Sequence, residues 1–198
     1  MHFSSDYVFD GLKAEPYLET DPVHPTGVYG ASKAAGEAEV LGAGGRAIVL
    51  RTSWVFSAFG ANFVKTMLRL ARDREEIGVV ADQIGRPTWA EDAARGALRA
   101  ARALLEREVE GPELFHLAGA GDATWAAFAE AVFAESAARG GPSARVKPIA
   151  TADYPTAARR PANSRLDCTK IARALDFPLR PWRSSLEACF GELESVTS

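Results

Sequence analysis

Apolar and polar positions follow two patterns along the chain: short continuous apolar runs, and longer stretches with the spacing of an amphipathic helix. The run Arg46 to Ser53 (RAIVLRTS) has an uninterrupted apolar centre, which is typical of a strand buried on both faces of a parallel sheet. From Trp125 to Phe133, apolar side chains fall at i, i+3, i+4, i+7 and i+8, which predicts a helix that Thr124 caps.

The predicted strands and helices alternate. Strands are expected at about 1–4, 46–53, 77–81, 114–118 and 146–150. Helices are expected at about 28–41, 61–72, from Thr88 or Glu91 to 107, from Thr124 onward, and at 169–175 and 184–193. This alternation favours an α/β fold with a parallel sheet. A change from the main sheet to a second lobe is expected near residues 53–60.

Composition and charge narrow the class of protein. The 198 residues are 47% hydrophobic and 25% charged, the profile of an ordinary soluble domain, and the net charge is -3. That charge gives no electrostatic footprint for nucleic acid or an anionic membrane, and no apolar run approaches the ~20 residues of a membrane span. Cys168 and Cys189 lack metal-ligand neighbours and are expected to be reduced and structural. Residues 1–10 do not resemble a signal peptide, so a cytoplasmic protein is expected.

Tyr29 and Lys33 form the strongest local chemical signal. They lie at i and i+4 of a predicted helix, so both side chains project from one face. A phenol with a reference pKa near ~10 is a poor catalyst at neutral pH, but a neighbouring ammonium group lowers that pKa. Such a pair can donate a proton to a developing alkoxide. By itself, the short pattern fits an ordinary surface pair equally well.

A polar segment, Ser4 to Tyr7 (SSDY), follows the first predicted strand. Ligands of open α/β sheets bind outside the carboxyl ends of the strands, where a hydroxyl can contact both a substrate carbonyl oxygen and the hydroxyl of Tyr29. Ser and Asp also favour ordinary turns at strand ends. The combination with Tyr29 and Lys33 favours the functional interpretation.

Several separate segments, in a fixed order from residue 2 to about residue 190, share a pattern. These segments are Ser4–Gly11 (SSDYVFDG), Tyr29–Lys33 (YGASK) with Gly36 and Glu37, Arg51–Phe56 (RTSWVF), Asn62–Val64, Asp82–Thr88 (DQIGRPT), and Arg160–Ser164 with Leu166 and Asp167. Together they resemble the extended short-chain dehydrogenases and, more narrowly, the dTDP-4-dehydrorhamnose reductase family. Several independent segments make this resemblance far more specific than the Tyr/Lys pair.

The resemblance implies a role for each matching position. Ser5 matches the catalytic Ser or Thr, Tyr29 the proton donor, and Lys33 the residue that tunes Tyr29. Tyr29 and Lys33 would also hold the nicotinamide ribose of the cofactor, NADPH or NADH. Ser5 and Asp6 would contact the sugar, and Trp54 would form a wall of its pocket. Most family members have Thr at the position of Ser5, which keeps the hydroxyl.

Other residues receive a weaker assignment. Tyr7, Gln83 and Arg86 are second candidates for the substrate side. His24 and His116 are interpreted as structural, since His116 lies in an apolar strand without a carboxylate at short spacing. A magnesium ion is associated with some family members, but no spacing in this chain indicates a metal site.

The chain differs from the family in the segment that would bind most of the cofactor. A dinucleotide-binding fold opens with a strand, a Gly-rich turn and a helix, whereas this chain begins at what the resemblance identifies as a later strand. The absent part would need on the order of 100 residues. The loop 117–121 (LAGAG) has Thr124 where a third glycine would stand, so it is expected to be a tight turn. Residues 1–56 are thus expected to be the remnant of a Rossmann domain, the C-terminal portion of its parallel sheet. Residues 57–198 would form mainly a smaller substrate-binding lobe with interleaved Rossmann elements.

The resemblance therefore implies reduction of dTDP-4-dehydro-L-rhamnose by an oxidoreductase of which this chain alone would be weak or inactive. A misassigned start, a truncation completed by another polypeptide, and a remnant all remain open explanations. Two other functions also remain open: a non-catalytic subunit similar to the regulatory subunit of methionine adenosyltransferase, and an epimerase or dehydratase of the same superfamily. The expected partner is a nucleotide sugar, with neither nucleic acid nor membrane, and the resemblance suggests a homodimer.

Overall fold

A computed structural model describes residues 1–154 and 160–197 as a succession of helices and short strands. The helices are α1 (Val28–Gly42), α2 (Phe63–Leu70), α3 (Ala90–Leu105), α4 (Trp125–Ala138), α5 (Thr169–Ala174) and α6 (Trp182–Thr197). The strands are β1 (His2–Ser5), β2 (Ala47–Thr52), β3 (Val55–Phe56), β4 (Glu76–Val80), β5 (Ile84–Gly85), β6 (Thr88–Trp89), β7 (Pro112–His116), β8 (Ala123–Thr124) and β9 (Arg145–Ile149). Two 3-10 turns complete the list, Asp6–Val8 and Thr151–Asp153.

The main sheet contains three parallel strands in the order β1-β2-β7. The apolar centre of β2 is fully buried because strands cover both its edges and helices pack on the sheet. In this register Ser5 lies opposite Thr52, so the polar ends of β1 and β2 meet at one edge of the molecule. β1 is an edge strand, and its outer side pairs with no other described strand. Phe3 on β1 is partly exposed, as expected for an uncovered edge.

Two hydrophobic cores divide the described residues. The first lies around the main sheet, where Ile48 and Leu50 pack with alanines of α3 and with Ile171 and Leu175. The alanines recur along one face of α3, which allows the helix to approach the sheet closely. Because α3, β7 and α5 come from residues after 56, later parts of the chain return to this first core.

The second core joins α2, α4 and α6 with the parallel pair β4–β9. Phe128 of α4 is fully buried at its centre, in contact with the rings of Phe56, Phe63 and Trp182. Two small pairs, β3–β6 and β5–β8, contribute Phe56, Trp89 and Ala123 to this second core. Residues 53–60 lie between β2 and α2, and the change of lobe expected there stays a prediction.

The α/β class with a parallel main sheet is confirmed, and each long predicted element is present within a few residues of its expected bounds. The two-residue strands and the 3-10 turns were not predicted, since such short elements depend on neighbours far away in the sequence. Thr88 belongs to β6, and α3 begins at Ala90, so the helix start predicted at Thr88 is wrong. Cys168 and Cys189 are buried free thiols, and burial raises the pKa of each to about 12. Within residues 1–154 and 160–197, no helix combines the length and apolar character that crossing a bilayer requires.

Candidate functional site

The polar segment after β1 turns sharply at the carboxyl end of the main sheet. Ser5 is in extended conformation and caps the 3-10 turn Asp6–Val8, because its Oγ accepts a hydrogen bond of 3.2 Å from the backbone N–H of Tyr7. The same hydroxyl donates to Oδ1 of Asp6 at 3.0 Å. This places Ser5 at the sheet edge where ligands of open α/β folds bind.

Helix α1 carries Tyr29 and Lys33 to this edge. Nζ of Lys33 donates a hydrogen bond of 3.2 Å to the backbone oxygen of Phe3 and lies 5.8 Å from the centroid of the Tyr29 ring. Tyr29 is 55% exposed, so a ligand can reach it. The predicted helix and the shared face of the two residues are confirmed. Since α1 packs on β1 and on the 3-10 turn, the elements that carry Ser5, Tyr29 and Lys33 adjoin one another.

Gly30 explains how α1 comes so close to the 3-10 turn. A Cβ at this position would lie 2.0 Å from the backbone oxygen of Tyr7, a distance that no side chain can occupy. The resulting contact brings the rings of Tyr7 and Tyr29 into an edge-to-face arrangement, with centroids 5.7 Å apart. Glycine at position 30 is therefore required for the position of Tyr29.

A buried ion pair fastens the other half of α1 to the sheet. Arg51 of β2 donates to both carboxylate oxygens of Glu37, from Nε at 2.7 Å and from Nη2 at 2.6 Å. Nη1 of Arg51 also lies 3.4 Å from Nε2 of His116, whose Nδ1 lies 3.0 Å from the backbone oxygen of Tyr17. We assign the imidazole proton to Nδ1, because Nε2 faces a guanidinium group. Burial, with the charge of Arg51, lowers the pKa of His116 to about 3.

His116 is thus a neutral, hydrogen-bonded part of the core, in agreement with its structural interpretation. Glu37 and Arg51 were quoted only as parts of family segments, and their pairing could not be read from the sequence. Residues 14 positions apart meet only because α1 folds back onto β2.

The carboxyl group of Asp6 is buried, with 3% of the residue exposed. Burial raises the pKa of Asp6 to about 6, while the Ser164 and Ser5 hydroxyls act in the opposite sense. Oδ2 of Asp6 has no hydrogen-bond partner among the described residues. The structure therefore keeps Asp6 beside Ser5 and out of the solvent, and its expected contact with the sugar stays a prediction.

Tyr7 links this edge of the sheet to a cavity of about 370 Å³. Nη1 of Arg160 donates a hydrogen bond of 3.0 Å to the Tyr7 hydroxyl, and Arg160 is one of the residues that line the cavity. Burial raises the pKa of Tyr7. The cavity combines aromatic walls with polar groups; its lining includes Phe63, Trp125, Tyr154, Gln83 and Thr151.

Trp54 stands at the end of β2 and stacks on Trp125, with centroids 3.5 Å apart and planes inclined by 11°. Its φ of 47° is unusual for a residue with a large side chain. The indole also fills the space beside Gly85, where a Cβ would lie 2.4 Å from Cε2 of Trp54. Trp54 therefore supports Trp125, which lines the cavity, and its own contact with a sugar stays a prediction.

The second candidates lie in different surroundings. Gln83 lines the cavity, and its Nε2 donates to Oγ1 of Thr151 at 3.0 Å. Arg86 binds Oδ1 of Asp122 at 2.8 Å and the backbone oxygen of Leu166 at 2.6 Å, so its donors hold segments of the protein together. Arg160 and Trp125 were not predicted as site residues. Arg160 stood in a recognised segment, but its proximity to Tyr7 depends on the fold.

The glycine-containing loop at 117–121 does not form a phosphate cradle. A Cβ at Gly119 would lie 2.2 Å from the backbone oxygen of Pro87, and one at Gly121 would lie 3.3 Å from Trp182. Oγ1 of Thr124 accepts from the backbone N–H of Ala127 at 3.1 Å and caps α4. The interpretation as a tight turn and helix cap is confirmed. In residues 1–154 and 160–197, no three His, Cys, Asp or Glu side chains come close enough together to hold a metal ion.

Comparisons with known proteins agree with this geometry. The family model described as the RmlD substrate binding domain matches residues 1–195. A dTDP-4-dehydrorhamnose reductase of Sinorhizobium fredii is 48% identical over 188 residues, which cover 93% of this chain and 63% of that protein. The dTDP-4-dehydrorhamnose reductase of Escherichia coli K12 is 41% identical over 201 residues, 100% of this chain and 67% of that protein. The chain thus spans about two thirds of the length of the curated relatives it matches.

A solved structure supports the same grouping. The dTDP-4-dehydrorhamnose reductase of Bacillus anthracis, crystallised in complex with NADP, has a TM-score of 0.86 and 36% sequence identity. The match covers 96% of this chain and 64% of that chain.

Proposed function

The chain belongs to the RmlD substrate binding domain family, and on that premise we propose that it carries the catalytic and substrate-binding part of a reductase that converts dTDP-4-dehydro-L-rhamnose to dTDP-L-rhamnose with NADPH. The proposal is supported by the packing of α1, which carries Tyr29 and Lys33, on β1 and on the 3-10 turn that Ser5 caps, with Lys33 bound to the backbone oxygen of Phe3 on β1. Tyr7 and Arg160 connect this point to a cavity of about 370 Å³.

Each of the three residues has a distinct role in the proposed reaction. The cofactor, when bound, supplies a hydride to C4 of the sugar. Tyr29 donates the proton that the oxygen on C4 needs as its negative charge develops. Lys33, beside the Tyr29 ring, stabilises the phenolate that is left, and Ser5 donates a hydrogen bond to the same sugar oxygen.

The residues present fit the nicotinamide end of the cofactor. An ammonium group has three donors, and Lys33 uses one of them for the backbone oxygen of Phe3, so two remain for ribose hydroxyls. The NADP bound to the Bacillus anthracis relative favours NADPH over NADH. We infer that the pyrophosphate and adenine are held outside the described residues, beside the open edge of β1. The 198-residue chain by itself should then show little or no turnover.

The cavity next to Arg160 suits a nucleotide. Trp125, Phe63 and Tyr154 offer ring faces for a base, and the guanidinium group of Arg160 can pair with a diphosphate oxygen. Arg160 would then bind both the diphosphate and the Tyr7 hydroxyl. These two contacts would fix the position of the nucleotide relative to the candidate catalytic residues.

The test uses the reading frame extended upstream of Met1 and follows NADPH oxidation with dTDP-4-dehydro-L-rhamnose. We expect Tyr29→Phe and Lys33→Met to lower kcat about 10²- to 10⁴-fold, the range of general acid–base catalysis, and Ser5→Ala to lower it by a similar or smaller factor. Lys147→Met, an exposed lysine on β9, is the matched control and should keep its rate. Absence of NADPH oxidation by the extended protein would overturn the proposal.

The same preparation decides between the remaining alternatives. NMR of the product separates reduction from epimerisation or dehydration, and co-purification with a larger enzyme would favour a regulatory subunit. Parallel assays with NADH and with a chelator test the choice of nucleotide and any requirement for magnesium. Sedimentation analysis tests the proposed homodimer.

A further inference from the structure

The hydroxyl of Ser5 already takes part in two hydrogen bonds inside the protein. Its Oγ accepts from the backbone N–H of Tyr7 at 3.2 Å and donates to Oδ1 of Asp6 at 3.0 Å. A hydroxyl group has one proton and two lone pairs. While Ser5 donates its proton to an ionised Asp6, it retains one free lone pair and has no proton for the oxygen of a ketone.

Protonation of Asp6 reverses the direction of this bond. A neutral carboxyl group can donate its own proton from Oδ1 to Oγ of Ser5 across the same 3.0 Å. Ser5 then accepts twice, from Tyr7 and from Asp6, and its own proton is free for a third group. Only the hydroxyl proton has to rotate.

We propose that Asp6 is a positioning residue that sets the direction of the Ser5 hydroxyl, and that reduction requires Asp6 as the neutral acid. The inference rests on the proposed reductase function, since it assigns the donor state of a residue in that site.

The surroundings of Asp6 favour its neutral form. The carboxyl group is buried, and its Oδ2 lacks a hydrogen-bond partner among the described residues. Burial raises its pKa to about 6. The turn itself carries Tyr7, whose hydroxyl binds Arg160. Helix α1, which packs on the turn, carries Tyr29, Lys33 and Glu37, the last of them paired with Arg51. No cation of the described part of the chain forms an ion pair with Asp6 within 4.0 Å.

The pH dependence of kcat/KM tests the proposal, measured in the protein extended upstream of Met1. For the unsubstituted protein, kcat/KM should fall about tenfold per pH unit above about pH 6 as Asp6 ionises. We call this decline the alkaline limb of the pH profile. Asp6→Asn holds an N–H donor beside Ser5 at every pH, so this limb should disappear, and at pH 8 the variant should be at least about tenfold faster than the parent. Asp6→Ala removes the carboxylate that takes the Ser5 proton, so its rate should also lose this pH dependence, but without a group that orients the Ser5 hydroxyl it should be slower than Asp6→Asn.

Glu39→Gln is the matched control, because it removes one exposed carboxylate from α1 and should leave the alkaline limb in place. The proposal would be overturned if kcat/KM of Asp6→Asn still declined above pH 6. It would also be overturned if Asp6→Asn folded but had a lower kcat/KM than the parent at pH 8.

A second measurement does not depend on turnover. In a protein labelled with ¹³C at the Asp carboxyl carbons, Asp6 should be recognisable by a pKa about two units above the reference for an Asp side chain. Ser5→Ala removes a donor that stabilises the carboxylate, so the pKa of Asp6 should rise further. An Asp6 titration that Ser5→Ala leaves unchanged would refute the coupling. Absence of NADPH oxidation together with a shifted titration would count against the reductase function and leave the coupling in place.

Discussion

Gly30 and Tyr7 approach each other so closely that a Cβ on residue 30 would lie 2.0 Å from the Tyr7 backbone oxygen. The contact sets the position of α1 relative to the turn that follows β1. Ser5 lies at the turn, and Tyr29 and Lys33 lie on α1. Because this contact sets how the two elements pack, a substitution at Gly30 should shift the candidate residues relative to one another.

We predict that Gly30→Ala lowers both stability and activity. The new methyl group cannot displace a backbone carbonyl cheaply, and overpacking of this kind costs about 1–3 kcal/mol. Gly42→Ala, in the same helix but with open space around the added carbon, should be neutral or stabilising by up to about 1 kcal/mol. Urea unfolding and kcat compare the two variants, and equal behaviour would contradict the role given to Gly30.

The buried pair of Glu37 and Arg51 yields a second prediction. Glu37→Gln leaves a guanidinium group buried without its carboxylate and should cost about 3–5 kcal/mol of unfolding free energy. The double variant Glu37→Leu with Arg51→Met removes both charges and should be more stable than Glu37→Gln. Arg102→Ala breaks an exposed pair on α3 and should have no measurable effect. Chemical denaturation measures all three, and a Glu37→Gln variant as stable as Arg102→Ala would be inconsistent with a structural role for the buried pair.

His116 predicts a loss of stability in acid. The folded imidazole binds a proton only near pH 3, whereas the unfolded one does so near 6.5, so the unfolded chain binds more protons between these values. The stability that the neutral His116 provides is therefore lost as the pH falls below about 6.5. Asp6 acts in the opposite sense: its raised pKa gives stability below about 3.8 that is lost as the pH rises to about 6.

Replacement of the histidine separates these two effects. The stability difference between the unsubstituted protein and His116→Asn should shrink as the pH falls, with a limiting slope of about 1.4 kcal/mol per pH unit. Urea unfolding between pH 4.5 and 7.5 provides the data. Parallel curves for the two proteins would exclude this role for His116.

Arg160 should control affinity for the nucleotide more than the rate of the chemical step. Arg160→Met is expected to weaken binding of dTDP about tenfold or more, because it removes a charge-assisted hydrogen bond. Tyr7→Phe keeps the guanidinium group and should weaken binding less. Calorimetric titration with dTDP measures both, with the exposed Arg145→Met as control. If Arg160→Met bound dTDP with unchanged affinity, the proposal that the nucleotide binds in this cavity would be wrong.

Local sequence patterns determined much of this protein. The alternation of apolar runs, such as the one in β2, with stretches of helical periodicity predicted the α/β class, since such periodicity is a property of consecutive residues. The i, i+4 spacing of Tyr29 and Lys33 placed them on one helical face. The separate family segments identified the family, and the comparisons confirmed it.

The tertiary structure decided which distant residues meet. The approach of Gly30 to Tyr7, the pairing of Glu37 with Arg51 and the bond from Arg160 to Tyr7 join positions far apart along the chain, and no local pattern encodes such distances. The burial of Asp6 is of the same kind, because a polar residue after a strand usually faces water until other segments cover it. The sequence thus indicated the candidate residues, while packing between remote segments determined the burial of Asp6 and His116 and hence the direction of their pKa shifts.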